Sequence, residues 1–147
     1  MANLQNYKED FILLCEAGFV AVNQFDEDAA LKLFKASQIL SPENTLPLIG
    51  IGYLHLCKLE LKQACDAFKK VLEKEPHNDM AKAFLGIAHS LNPNETMKGE
   101  KILEETVHST HDQQIKTLAN TAIDFVEKFV KKSPTPVQAQ KSPPKKK

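Results

Sequence analysis

Residues 14–76 read LCEAGFVAVNQFDEDAALKLFKASQILSPENTLPLIGIGYLHLCKLELKQACDAFKKVLEKEP. The stretch repeats itself. Gly18 recurs as Gly52, Ala30 as Ala64, Phe34 as Phe68 and Pro42 as Pro76, always at one offset, and Gly86 opens a third copy at the same offset from Gly52. Each part of the pattern has a physical use. Glycine in the first helix of a pair lets the second approach closely, alanine in the second does the same from the other side, and phenylalanine fills the gap one turn later. Proline ends the second helix, because it has no amide donor and clashes with the preceding turn. One such pair cannot bury its own apolar face, so pairs stack.

The offset that separates Gly18 from Gly52, with these residue types, resembles the tetratricopeptide-repeat (TPR) family. The resemblance covers about residues 11–110 and implies an all-α fold, a TPR solenoid of three helix pairs plus a C-terminal capping helix. The chain departs from the family pattern in two slots. Leu14 and Leu48 stand where the family has Trp, and Ala21, His55 and His89 stand in its later Tyr slot.

The predicted domain is residues 1–132, with repeats at about 11–44, 45–78 and 79–111 and a capping helix at about 112–132. The first helix reads from Asn3 to Asn23, and the second opens at Asp26 or Glu27 and stops at Ser41-Pro42. Thr45 is the expected N-cap of the third, with Pro47 in its first turn. Asn78-Asp79 is the cap signal of the fifth. The turn Asn92-Pro93-Asn94-Glu95 carries one extra residue, which puts Gly99 in the alanine slot and Leu103 in the phenylalanine slot. The count is seven helices. Residues 133–147, rich in Pro, Gln and Lys, are expected to be disordered.

Composition excludes several classes. No apolar run reaches the ~20 residues of a membrane span, so stable membrane insertion is not expected. No signal peptide is visible at the N-terminus, which points to a cytoplasmic location. Cys15, Cys57 and Cys65 have no metal-type spacing and read as buried, reduced thiols. The net charge of zero is asymmetric: residues 131–147 hold six lysines and no acid, which leaves thirteen lysines against nineteen acids, a net of −6, on residues 1–130. The chain has no arginine, the residue best suited to bidentate phosphate and base contacts. An acidic body without arginine argues against a nucleic-acid partner, and the Lys145–Lys147 run reads as a solubilising tail. No phosphate loop and no nucleophile–base signature is present, so no catalytic residue, cofactor or metal is expected. His108 and His111 read as a solvated helix end. His55 and His89, in one repeat slot, read as packing residues.

The informative surface is the inner face. In a TPR solenoid the first helices line a concave groove. The inward positions by repeat register are Ile12, Cys15, Phe19 and Val22, then Leu46, Ile49, Tyr53 and Leu56, then Met80, Ala83, Ile87 and Ser90. All but Ser90 are apolar or Tyr. Such a groove is expected to be covered. The last helix or the segment Leu4/Tyr7 would cover it from within the chain, or two copies would cover each other. The sharper expectation is an amphipathic helix of another protein. Charge at Ile49 or Tyr53 is then expected to abolish binding with the helical signal intact, and loss of the fold would mark these residues as core.

Within the TPR family the chain is similar to the chaperones of bacterial type III secretion. LIGIG at 48–52 and FLGIA at 84–88 look like the repeat cores of translocator chaperones. HSTHDQQIKT at 108–117 looks more like the late region of needle-subunit chaperones. The resemblance implies a cytoplasmic holdase that keeps the C-terminal helix of a secreted needle subunit in its groove and blocks premature polymerisation. It also implies a small helical co-chaperone on the N-terminal part. The alternative is a translocator chaperone or another TPR adaptor, which binds an extended peptide.

Overall fold

The computed structural model describes residue 7 and residues 9–132. These form seven α-helices in chain order: α1 Asp10–Asn23, α2 Glu27–Leu40, α3 Leu46–Cys57, α4 Leu61–Lys74, α5 Asp79–Ser90, α6 Thr96–Ser109 and α7 Gln113–Phe125. A π-helical turn, Val126–Val130, continues α7. Among the described residues no helix is long and apolar enough to cross a membrane.

Side-chain caps set several starts. Asp26 Oδ1 accepts from the Ala29 amide at 3.0 Å and Asn78 Oδ1 from the Ala81 amide at 2.9 Å. Asp112 Oδ1 accepts from the amides of Gln114 and Ile115. Each satisfies helix-start donors that lack an intrahelical partner. Two expectations about starts are corrected. Helix α1 begins at Asp10 rather than Asn3, with Tyr7 and Glu9 outside it; residues 3–6 and 8 lie outside the described residues. Thr45 sits at the start of α3 but caps nothing. Its buried hydroxyl donates instead to Glu75 Oε1 at 2.9 Å, tying the start of α3 to the end of α4, while Asn44 Oδ1 takes the Leu46 amide.

Consecutive helices pack as hairpins, α1 on α2, α3 on α4 and α5 on α6. The odd-numbered helices also touch one another in sequence, α1 with α3, α3 with α5 and α5 with α7, so they form one row onto which the even-numbered helices pack. The seam between the layers is where the repeated residues meet. Phe34 is fully buried between α1 and α3. A Cβ on Gly18 would lie 2.5 Å from its ring, and a Cβ on Gly50 would overlap it. Phe68 presses on Gly52, and Leu103 on Gly86, in the same way. The extra residue in the third pair is borne out: a Cβ on Gly99 would overlap Ser90 and the Gly86 carbonyl oxygen, and Leu103 is fully buried in the phenylalanine slot.

Helix α7 packs on α5 and α6 much as α3 packs on α1 and α2. It follows α5 in the odd row, and its Leu118 reaches the cavity lined by Phe19 and Asn23 of α1. Its end is held by Lys131, whose Nζ lies 2.7 Å from Glu100 Oε1 on α6 and 2.6 Å from Glu127 Oε1. Residues 133–147, expected to be a disordered tail, lie outside the described residues, as does Leu4.

Candidate functional site

The side of the odd row turned away from α2, α4 and α6 is apolar and partly open. Its spine is a ladder of rings. Phe19 on α1 lies 5.9 Å from Tyr53 on α3, and Tyr53 lies 5.4 Å from Phe84 on α5. Both ends are anchored in the core: Phe19 meets buried Phe34 edge-on at 5.3 Å, and Phe84 stacks on buried Phe68 at 5.5 Å. Edge-on and offset ring pairs at these separations add to the stabilisation from area burial alone. The ladder is therefore held in place by the seam behind it.

The ladder walls a cavity of about 420 Å3, completed by Asn23, Leu46, Met80 and Leu118. A second cavity of about 430 Å3 lies between α5 and α7, walled by Ile87, Leu91, Leu118, Ala122, Phe125 and Val126, with buried Ser90 beneath and exposed Leu59 beside them. Leu118 is common to both, so the two form one apolar groove across α1, α3, α5 and α7. The polar handles are few. Tyr53 Oη donates to Asn23 Oδ1 at 2.9 Å, which fixes the ring. Burial, with a smaller contribution from Cys57, holds its phenol above the ordinary range, so it stays neutral.

The structure separates the residues expected in the groove into three sets. Phe19, Leu46, Tyr53 and Met80 line the first cavity and Ile87 the second. Ile12 is half exposed on α1 and borders neither. Cys15, Val22, Ile49, Leu56 and Ala83 lie beneath the surface, with Ile49 only 2% exposed. The helical stripe that fills the seam and the stripe that faces the groove are adjacent, and spacing alone does not divide them. Residues not read as groove positions are Phe84, Leu118 and Phe125. Phe84 had a signal: it follows Gly50 at the repeat offset, so the slot that is empty in one repeat is filled by a ring in the next.

The histidine pair has a structural use. His55 Nδ1 lies 2.6 Å from Glu60 Oε2, and His89 Nδ1 lies 2.7 Å from Glu95 Oε2. Each pair clasps the end of a first helix to the start of the second. Glu95 follows Glu60 by the repeat offset plus the extra residue. Lys58 and then His55 hold the Glu60 carboxyl below its usual range, and His89 does so for Glu95. Cys15 and Cys65 are buried, and burial pushes both thiols up; Cys57 is exposed, which corrects the expectation of three buried thiols. His108 and His111 are exposed near the end of α6. Among the described residues no three His, Cys, Asp or Glu side chains gather as a metal site. The arrangement is suited to holding an apolar surface. No protein-family model and no curated protein sequence matches the chain.

Proposed function

We propose that this chain is a cytoplasmic TPR-type chaperone of a type III secretion system that holds an amphipathic helix of the needle subunit and blocks its polymerisation. The observation that carries this reading is the ring ladder Phe19–Tyr53–Phe84, held from behind by the core yet open to the groove. An open apolar groove of this kind fits the apolar stripe of a helix, with anchors at i, i+3 or i+4 and i+7. Binding by burial alone requires no bond to be made or broken, so no catalytic group, cofactor or metal enters the proposal. Competition for the apolar stripe suffices: a helix lodged in the groove is withheld from its own polymer. The exposed Leu13 and Val20 on α1 offer a separate seat for a small helical co-chaperone at the N-terminal end.

The test is the native mass of the protein isolated from its own cells, with peptide identification of whatever accompanies it. A 1:1 or 1:1:1 complex with small helical proteins, one of them self-polymerising, is the expected result. A complex with a large membrane-active protein moves the assignment to a translocator chaperone, the reading that LIGIG at 48–52 and FLGIA at 84–88 favour. A bare monomer, or a homodimer with the groove shielded, overturns both.

A further inference from the structure

Phe25 and Leu59 occupy the same place in successive repeats. Each lies just past the end of a first helix, and each helix ends in the same double hydrogen bond. The Phe25 amide donates to Val22 O and the Asp26 amide to Ala21 O; the Leu59 amide donates to Leu56 O and the Glu60 amide to His55 O. This ending requires a left-handed backbone at the first of the two residues, a place usually held by glycine. Phe25 has φ 60° and Leu59 φ 58°. A bulky side chain there crowds its own carbonyl. The interior does not offset the strain, because Phe25 is 90% and Leu59 68% exposed. In the third turn Pro93 has no amide to complete the motif. Two local penalties, a strained backbone and an exposed apolar side chain, thus coincide twice. Residues that break local rules in this way concentrate at functional surfaces.

Leu59 is the one that touches the groove, and the cleft at Phe25 reaches Lys58, the chain neighbour of Leu59. Leu59 edges the second groove cavity, beside Ile87, Leu91 and Phe125. Phe25 borders a cleft of about 90 Å3 with Val22, Leu54 and Cys57. We propose that Phe25 and Leu59 form an apolar lip that extends the groove, and that the lip receives a partner helix whose apolar anchors are flanked by basic side chains. The proposal rests on the groove being a helix-binding site. The charge preference comes from the surroundings of the lip. Within three residues of Phe25 and Leu59 stand Asp26, Glu27, Asp28 and Glu60, against Lys58, which is shared by Glu27 and Glu60, and Lys62; Lys32 is paired with Asp28 and His55 lies against Glu60. Acids outnumber lysines there, so a basic flank is favoured and an acidic one repelled. The chain's own basic segment, residues 133–147, has Val137 as its one large apolar residue and is a poor match for an apolar lip.

The experiment is calorimetric titration of the full chain with two synthetic amphipathic peptides of about 20 residues, long enough for a helix of about 30 Å. They share Leu and Ile anchors and differ only in Lys or Glu flanks. The Lys-flanked peptide is expected to bind about tenfold more tightly. Phe25→Asn and Leu59→Asn are each expected to weaken it about fivefold, while the denaturation midpoint holds or rises, because Asn tolerates the left-handed backbone. Wild-type affinity in both Asn variants, with Tyr53→Asp still abolishing binding, overturns the lip and leaves the groove standing. No binding of either peptide to the wild type overturns the groove and the lip together. A lowered midpoint in the Asn variants and in Leu59→Gly makes the two residues structural and overturns the lip. Tighter binding on removal of residues 133–147, seen only while Phe25 and Leu59 are present, makes the tail the occupant and overturns the partner assignment.

Discussion

On one side of the odd-numbered row Phe34, Phe68 and Leu103 press onto Gly18, Gly52 and Gly86; on the other, Phe19, Tyr53 and Phe84 leave their rings in partial contact with solvent. The same helices build both sides, yet the first keeps a large apolar side chain against a glycine in every repeat, with Leu103 replacing phenylalanine in the third, while the second is less regular. The seam is held to one solution because close-packed interiors tolerate little change in volume. The groove changes from slot to slot: Phe19 and Tyr53 are followed by Ile87 at the repeat offset, and Gly50 by Phe84. Packing tolerates that drift because the side chains end at an open surface. A repeated slot therefore marks what the fold needs, and the varied slots mark the surface that the fold leaves free to change.

The sharpest way to break this comparison is to put one charge on the buried and one on the open residue of the same face of α3, Ile49 and Tyr53. Ile49→Asp buries a carboxylate among Phe68, Leu85 and Ala88, and is expected to abolish the cooperative unfolding transition seen by circular dichroism. Phe34→Ala empties the seam between Gly18 and Gly50 and is expected to cost about 4 kcal/mol in chemical denaturation. Gly99→Ala drives a methyl against Ser90 and the Gly86 carbonyl, where the backbone cannot yield, at about 3 kcal/mol. Tyr53→Asp lies on the open side. It is expected to cost less, about 2 kcal/mol, since a partly exposed ring gives up its contacts with Phe19 and Phe84 but only part of a full burial, while partner affinity in titration falls below detection. An unfolded Tyr53→Asp, or a stable Ile49→Asp, would dissolve the distinction between the two sides.

The smallest effect is expected at the clasps. The Glu60 and Glu95 carboxyls are held below their usual range, so their contribution is present above the ordinary carboxylate pKa and is lost as the pH falls through the depressed value. The thermal midpoint should therefore drop on the acid side, between about pH 5 and 3. Glu95→Gln is expected to flatten that limb without touching partner binding at neutral pH. An unchanged limb would show that the His89–Glu95 pair adds nothing to stability.

Helix number, turn positions and the extra residue in the third pair were legible in the chain because Gly, Ala, Phe and Pro act through local geometry. Gly99 and Leu103 show this best: only the shifted register keeps lysine out of a helix crossing, and the crossing is as tight as that register demands. The start of α1 and the role of Thr45 were not legible. Capping competes with tertiary partners, and Glu75, far along the chain at the end of α4, takes the Thr45 hydroxyl. In the groove, Phe19, Leu46, Tyr53, Met80 and Ile87 were readable from the register, whereas Phe84 falls in a slot that holds Glu16 and Gly50 in the earlier repeats, so its ring shows only when the three are set side by side.

The sequence by itself determined the repeat, the all-helical class and the existence of a large apolar surface on the first helices, because a fixed period of small and aromatic residues leaves few other ways to bury them. The tertiary structure alone decided which apolar residues are core and which are groove. Ile49 and Tyr53 lie one turn apart on one helix, yet Ile49 joins the buried cluster that holds Phe68 and Leu85, while Tyr53, between Phe19 and Phe84, is left partly open. It also placed α7 against α5 with Leu118 in the wall of both cavities, so the last helix supplies part of the groove.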